Sequence, residues 1–180
     1  MPINNDQLLQ RLAQGDEQAL EAIFERYHGK LLQVAIQILH SRELAEETVM
    51  DTFMGFWERR GNLPTITQLS WYLYSAVKNK SLNVLRKRKS RPHVYLDDVD
   101  IDIAWSLSPE DRLISREGVE QINRAINELP PRCKQIFVMV KEERLKYRQV
   151  AELLEVSVKT VENQMGIALK KLHDALDAVH

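Results

Sequence analysis

The sequence predicts an all-α chain, with two small helical domains joined by an acidic linker. Three observations carry that prediction. Apolar residues recur at three- and four-residue steps along most of the chain, and no run alternates apolar and polar residues as a half-buried strand would. The composition also changes abruptly between about Ser90 and Pro109. A length of 180 residues has room for one ordinary domain or two small ones, and a 44% apolar share suffices for a buried core. We read residues 1–90 as the first domain, 91–112 as the linker and 113–180 as the second domain.

In the first domain, Leu20, Ile23, Phe24, Tyr27, Leu31, Val34, Ala35 and Ile38 form the stripe of an amphipathic helix. The stretch "HSRE" breaks it, and Val49, Phe53, Phe56 and Trp57 resume the period. The turn "NLPTIT" then opens a third long helix, with stripe residues Leu69, Leu73, Val77 and Val84. The linker, "SRPHVYLDDVDIDIAWSLSP", has two prolines, four aspartates between 97 and 102, and isolated apolar anchors at Val94, Leu96, Ile101 and Trp105. Beyond it, Val119, Ile122, Ile126 and Leu129 mark a helix stopped by Pro130–Pro131, since proline lacks an amide hydrogen and clashes with the preceding turn. A helix through Ile136, Phe137 and Val140 follows, and then "VAELLEVSVKTVENQ", which reads as a short helix, a tight break and a second helix.

Several classes are disfavoured. Cys133 is the only cysteine, so no intrachain disulfide can form, which suits a reducing compartment. It lies between a proline pair and an apolar stripe, a semi-buried rather than a reactive setting. The start "MPINNDQLLQ" lacks the basic and apolar segments of a secretory signal, and no run approaches the ~20 apolar residues that span a bilayer. A cytoplasmic protein without membrane insertion is expected. His28, His40, His93, His173 and His180 are dispersed without paired ligand spacing, so neither metal, cofactor nor enzymatic activity is expected.

The net charge of −1 conceals opposed blocks. Residues 1–77 carry 6 basic and 10 acidic side chains, whereas "KNKSLNVLRKRKSR", residues 78–91, carries 7 basic and none acidic. Residues 92–128 carry 3 and 9, and residues 129–180 carry 9 and 7. Phosphate attraction acts over about 8–10 Å at ordinary salt, so the local block outweighs the total.

Two segments have the chemistry of nucleic-acid recognition. In "VAELLEVSVKTVENQ", Ser157 is a good N-cap for a helix beginning at Val158. Val161, Met165, Ala168 and Leu172 share one side of that helix and can pack on Val150, Ala151 and Leu154. Lys159, Glu162, Asn163, Gly166 and Lys170 share the other. Asn163 can pair with an adenine edge, Glu162 can accept from cytosine N4, and Lys159 can reach guanine or phosphate. A glycine at 166 costs about 1 kcal/mol in a helix but lets a sugar–phosphate strand approach. The ordinary alternative is the solvated face of a helical hairpin. In "WYLYSAVKNKSLNVLRKRK", Trp71, Tyr74, Lys78 and Arg86 lie near one flank, with Asn79 and Asn83 four residues apart beside them. Rings and amides beside cations suit unstacked bases. The alternative here is core aromatics followed by a cationic helix end favoured by the helix dipole.

Taken in order, four stretches resemble the extracytoplasmic-function (ECF) sigma factors of the sigma-70 family. "LLQRLAQGDEQALEAIFERYHGKL" resembles their opening helices and "LAEETVMDTFMGFWERR" their acidic-aromatic helix. "LSWYLYSAVKNKSLNVLRKRK" resembles their −10-reading helix, and "LPPRCKQIFVMVKEERLKYRQVAELLEVSVKTVENQMGIALKKL" their −35-reading domain. The resemblance implies a non-enzymatic subunit that directs promoter-specific initiation by binding core RNA polymerase and promoter DNA. It places Glu47, Asp51, Phe53 and Trp57 at positions that dock on the clamp of the largest polymerase subunit. Asn79 falls where a flipped −10 base is captured, with Trp71, Tyr74, Lys78, Lys80, Asn83, Arg86 and Lys87 around it. Lys159, Thr160, Glu162, Asn163, Gln164 and Lys170 fall on the −35 helix. An anti-sigma factor, membrane-bound in many such systems, is an implied partner.

There are departures from the family pattern. Many members carry arginine or lysine where Glu162 and Gln164 stand, which leaves the −35 sequence open. A glycine is common where Glu155 stands, so this turn either avoids a left-handed residue or holds one with strain. Two other readings start from the same residues. One is a helix-turn-helix regulator of another type, which would need strands for a receiver domain that residues 1–90 do not suggest. The other is a helical adaptor without DNA binding, which would be indifferent to neutralising Lys78, Lys80, Arg86 and Lys87.

Overall fold

A computed structural model describes residues 4–89 and 116–177 of the chain. These form eight α-helices and one short 3-10 segment, with no strand among the described residues. The chain divides into two compact units, Met1–Ile103 and Ala104–His180. The whole of the expected linker, residues 91–112 with its anchors Val94, Leu96, Ile101 and Trp105, lies outside the described residues.

The first unit contains α1 (Asn5–Ala13), α2 (Glu17–Leu39), α3 (Arg42–Glu58), a 3-10 segment (Arg60–Thr65) and α4 (Leu69–Lys89). α1 buries Leu8, Leu9 and Leu12, but its nine residues are too short to display a repeated period in the sequence. Between α1 and α2 the chain turns at Gly15, whose φ of 83° is the conformation that glycine adopts without steric cost. Asp16 then caps α2, accepting from the amides of Gln18 at 3.0 Å and Ala19 at 3.4 Å. Arg11 Nε donates to the same carboxylate at 2.8 Å, and this bond holds the Asp16 carboxyl below its usual pKa. α2 buries Ile23, Tyr27, Leu31, Val34 and Ala35, the expected stripe, and packs on α3 and α4. The break at "HSRE" is a left-handed His40, with φ 50°, followed by a Ser41 cap on the Leu44 amide at 3.4 Å.

The second unit contains α5 (Arg116–Asn127), α6 (Pro131–Lys141), α7 (Tyr147–Leu154) and α8 (Val158–Asp177). The proline pair acts twice: α5 ends before it, and Pro131 opens α6, where its missing amide hydrogen costs nothing. α6 buries Cys133, Ile136, Phe137, Val138 and Met139, and α5, α6 and α7 each pack on α8. Cys133 is fully buried rather than semi-buried; its thiol donates to the Gln164 carbonyl at 3.2 Å, and burial pushes its pKa up. α7 packs on α8 and buries Val150, Ala151 and Leu153, while Leu154 is only half-buried.

The break between α7 and α8 is left-handed after all: Glu155 has φ 53° and ψ 44°. A side chain there clashes with the following carbonyl, and neighbouring bonds hold the turn in place. The Val156 amide donates to Ala151 O at 3.0 Å, and Arg132 Nη2 donates to Leu154 O at 3.3 Å. Ser157 Oγ accepts from the Thr160 amide at 3.0 Å and starts α8.

Two predictions follow from these caps and turns. Replacing Glu155 with glycine relieves the left-handed strain and stabilises the second unit by about 1 kcal/mol, read from urea unfolding; a loss of stability of that size contradicts a strained turn. Asp16→Ala lowers the melting temperature at neutral pH. Because the folded pKa of Asp16 is depressed below 3.8, its contribution is complete above that value and fades as pH falls through the folded pKa. Wild type and variant therefore converge in acid, and an equal gap at all pH values would exclude the carboxylate as the cause.

Candidate functional site

In the first unit the features expected to contact DNA lie along α4. This helix buries Leu69, Ser70, Leu73, Tyr74, Val77 and Ser81 in one arc. Asn79, Asn83 and Arg86 are exposed in the opposite arc, about 100° per residue placing them together, while Lys87 shares the direction of Leu69 and is exposed because it lies beyond the last buried turn. Trp71 and Lys78 are half-buried at the boundary between the arcs.

Two of the expected residues do not belong to that open arc. Tyr74 is completely buried, so its ring is core and cannot stack on a base in this conformation. Its distance from Asn79 on the helix wheel explains the misplacement: the sequence pattern put an aromatic beside cations without showing which arc the core would claim. Lys80 turns toward α3, where Nζ donates to the Asp51 carbonyl. Gly55, one turn further along α3, lies beside the ammonium; a Cβ there would sit 4.0 Å from Nζ, an ordinary contact. Lys80 therefore ties two helices and is not part of the exposed polar row.

On α3, Glu47 and Asp51 are exposed, Trp57 is half-buried and Phe53 is core, its ring tilted 57° against Phe24 of α2 with centroids 4.9 Å apart. Between these lies a feature the sequence reading missed. Met50 and Met54 are large apolar side chains left 48% and 61% exposed. With Leu20 and Phe24 of α2, Phe53 and Trp57, they line an open groove of about 430 Å³, to which Glu17, Glu21 and Glu58 also contribute. Arg60 covers the Trp57 ring at 4.5 Å, a cation–π contact that holds the indole at the groove's end. The signal was present in "VMDTFMGFW", where Met50, Met54 and Trp57 follow a second helical stripe beside the buried one of Val49, Phe53 and Phe56.

In the second unit, α8 presents the row read from the sequence. Val161, Met165 and Ala168 are buried, and Leu172 is half-buried. Lys159, Glu162, Asn163, Gly166 and Lys170 are exposed, with Thr160 and Gln164 half-buried at the sides. Lys159 Nζ donates to Glu162 Oε2 at 3.2 Å across one turn. A Cβ added at Gly166 would meet nothing within 4 Å, so that stretch of the helix is open to whatever approaches it. Thr160 is engaged by Ser157, its Oγ1 lying 2.8 Å from Ser157 Oγ at the cap. Among the described residues, no group of three His, Cys, Asp or Glu side chains could hold a metal ion. No helix among them is long and apolar enough to cross a membrane.

Comparison with known proteins gives these faces a context. The family model for Sigma-70 region 2 matches residues 23–91, and that for Sigma-70, region 4 matches residues 119–172, together well over half the chain. The RNA polymerase sigma-H factor of Pseudomonas aeruginosa is 24% identical over 96% of this chain and 93% of its own length. The ECF RNA polymerase sigma factor SigW of Bacillus subtilis is 23% identical over 87% of this chain and 88% of its own. A solved structure of CnrH in complex with the cytosolic domain of CnrY aligns with a TM-score of 0.48 at 20% identity, covering 97% of both chains. With region 2 and region 4 in order along one chain, and such relatives matched nearly end to end, the chain belongs to the sigma-70 family as an ECF-type RNA polymerase sigma factor.

Proposed function

We propose a division of labour for this sigma factor in which each exposed face takes one part of promoter-specific initiation. Residues 1–90 bind core polymerase and the −10 element, residues 113–180 bind the −35 element, and residues 91–112 connect them. The observation that carries the first assignment is the open arc of α4, where Asn79, Asn83 and Arg86 stand exposed opposite the buried arc of Leu73, Tyr74 and Val77, with Lys87 exposed beyond the last buried turn. Extruding a base costs a few kcal/mol, so the receiving side chains have to be positioned beforehand, and a helix anchored on its inner side from Leu69 to Ser81 does that at Asn79. Asn79 and Asn83 supply amide donors and acceptors for a base edge, Arg86 and Lys87 pair with phosphates, and Trp71 and Lys78 flank them. Lys80 acts indirectly, by fixing α4 against α3.

The groove on α3 is the docking surface for the polymerase clamp. Met50, Met54 and Trp57 form its apolar centre, and Glu47, Asp51 and Glu58 supply negative charge for a basic coiled coil. Phe53 shapes the floor from within the core. Methionine suits such a surface because its flexible, polarizable side chain adapts to a partner. On α8, Lys159, Thr160, Glu162, Asn163, Gln164 and Lys170 face −35 duplex DNA, Thr160 and Gln164 from the sides.

The chain carries out no chemical step on this reading; it supplies specificity, and polymerase supplies catalysis in the cytoplasm of a bacterium. A net charge of −1 makes free DNA binding weak until polymerase joins the two DNA contacts. CnrH, a sigma factor 23% identical over 98% of this chain, is solved in complex with the cytosolic domain of CnrY, and an anti-sigma protein that covers the two domains would hold this chain inactive.

Run-off transcription with purified core polymerase and a genomic promoter pool tests the function; discrete promoter-specific transcripts are expected, and their absence under all conditions refutes it. Asn79→Ala should lower open-complex formation roughly tenfold or more, the worth of one captured base, with core affinity unchanged. Met54→Glu should do the reverse, weakening core binding about tenfold or more while leaving the melting temperature unaltered. An Asn79 variant that opens promoters normally removes that residue from the base-capture role.

A further inference from the structure

We infer that Lys159 and Glu162 read one C·G base pair of the −35 element together, as a preformed donor–acceptor unit, an inference that rests on the placement of α8 against duplex DNA proposed above. The two side chains are bonded to each other at 3.2 Å, and both remain open to a ligand, with side-chain exposures of 76% and 47%. They lie in the first two turns of α8, next to Asn163 and the bare backbone at Gly166. Recognition helices meet base edges with these N-terminal turns.

The match is one of spacing and polarity. In the major groove a C·G pair displays the cytosine N4 amino group as a donor beside guanine O6 as an acceptor. The two are joined by a Watson–Crick hydrogen bond of the usual N–H···O length, about 2.9 Å. The Lys159–Glu162 pair presents the complementary order at nearly the same separation. The Glu162 carboxylate accepts the free N4 hydrogen, and the Lys159 ammonium donates to O6 and the adjacent N7. Each side chain keeps its bond to the other, so the contact closes a ring of four polar groups without first breaking the ion pair.

An A·T pair also places a donor beside an acceptor, but its outer groups are wrong for this unit. Adenine N7 puts a lone pair next to the carboxylate, and the thymine methyl occupies the place where guanine N7 would receive the ammonium. The reversed pairs, G·C and T·A, set an acceptor against Glu162. The carboxylate also neutralises Lys159 toward phosphates, so this part of the helix gains selectivity at the expense of general affinity.

The test uses the full chain assembled with core polymerase on a promoter library randomised across the −35 element. Wild type should enrich C·G, in one orientation, at one position. Glu162→Gln and Lys159→Met should each reduce that preference roughly tenfold at the same position and leave preferences elsewhere intact. Lys159→Arg should retain the guanine preference. The inference is overturned if wild type transcribes specifically yet shows no C·G preference. It is overturned equally if either variant weakens all sequences uniformly, or if the two variants alter different positions. Absence of any promoter-specific transcription by wild type would refute the function itself, a distinct outcome.

Discussion

The arrangement of the first unit depends on how α4 is held. A helix that must offer polar and cationic side chains to a ligand cannot rely on them for stability, because exposed charges contribute little and like charges repel. α4 meets this constraint by burying its other arc, from Leu69 and Leu73 to Tyr74, Val77 and Ser81, against α2 and α3. Each fully buried apolar side chain contributes about 1.5–3 kcal/mol, enough to offset the repulsion along "RKRK". Lys80 adds a polar tie to the Asp51 carbonyl, so the helix proposed to face DNA and the helix proposed to face polymerase are fastened there. The second unit repeats the principle on α8, where Val161, Met165 and Ala168 anchor the helix and the polar row is left exposed.

Charge follows the same economy. The strongly basic block from residue 78 to 91 is surrounded by acidic stretches, and the exposed row of α8 pairs Lys159 with Glu162. Such a chain has little attraction for arbitrary DNA, since non-specific affinity comes almost wholly from cations facing phosphates. For a sigma factor this is a useful property. Specific contacts of modest strength at two elements become effective when polymerase links them, whereas a uniformly basic chain would be dispersed over the genome.

Much of this was legible in the sequence. The long helices α2, α3 and α4 announced themselves by period, Pro130–Pro131 marked the end of α5, and Ser157 is the cap that its position suggested. The polar row of α8 was equally readable, because Val161, Met165 and Ala168 leave no doubt about the inner side. On α4 the pattern was ambiguous: aromatics, amides and cations are interleaved, and only packing decides that Tyr74 goes inward. Lys80 was misread for a related reason, since a backbone carbonyl on another helix leaves no trace in sequence. Met50 and Met54 were overlooked because methionine in an apolar stripe normally means core, and its exposure is visible only in three dimensions. The left-handed Glu155 breaks the local preference for glycine, and a local backbone bond from Val156 to Ala151 together with the tertiary bond from Arg132 is what holds it.

The most direct measurement is the binding of a fluorescent promoter duplex to the chain alone and to the chain assembled with core polymerase, across a salt series. The chain alone should bind weakly, without regard to promoter sequence, and lose that binding between about 50 and 200 mM salt. The assembled complex should bind the promoter duplex specifically and persist over the same range. Tight, sequence-specific binding by the chain alone, or no promoter preference in the complex, would contradict the dependence on polymerase that its charge and exposed faces imply.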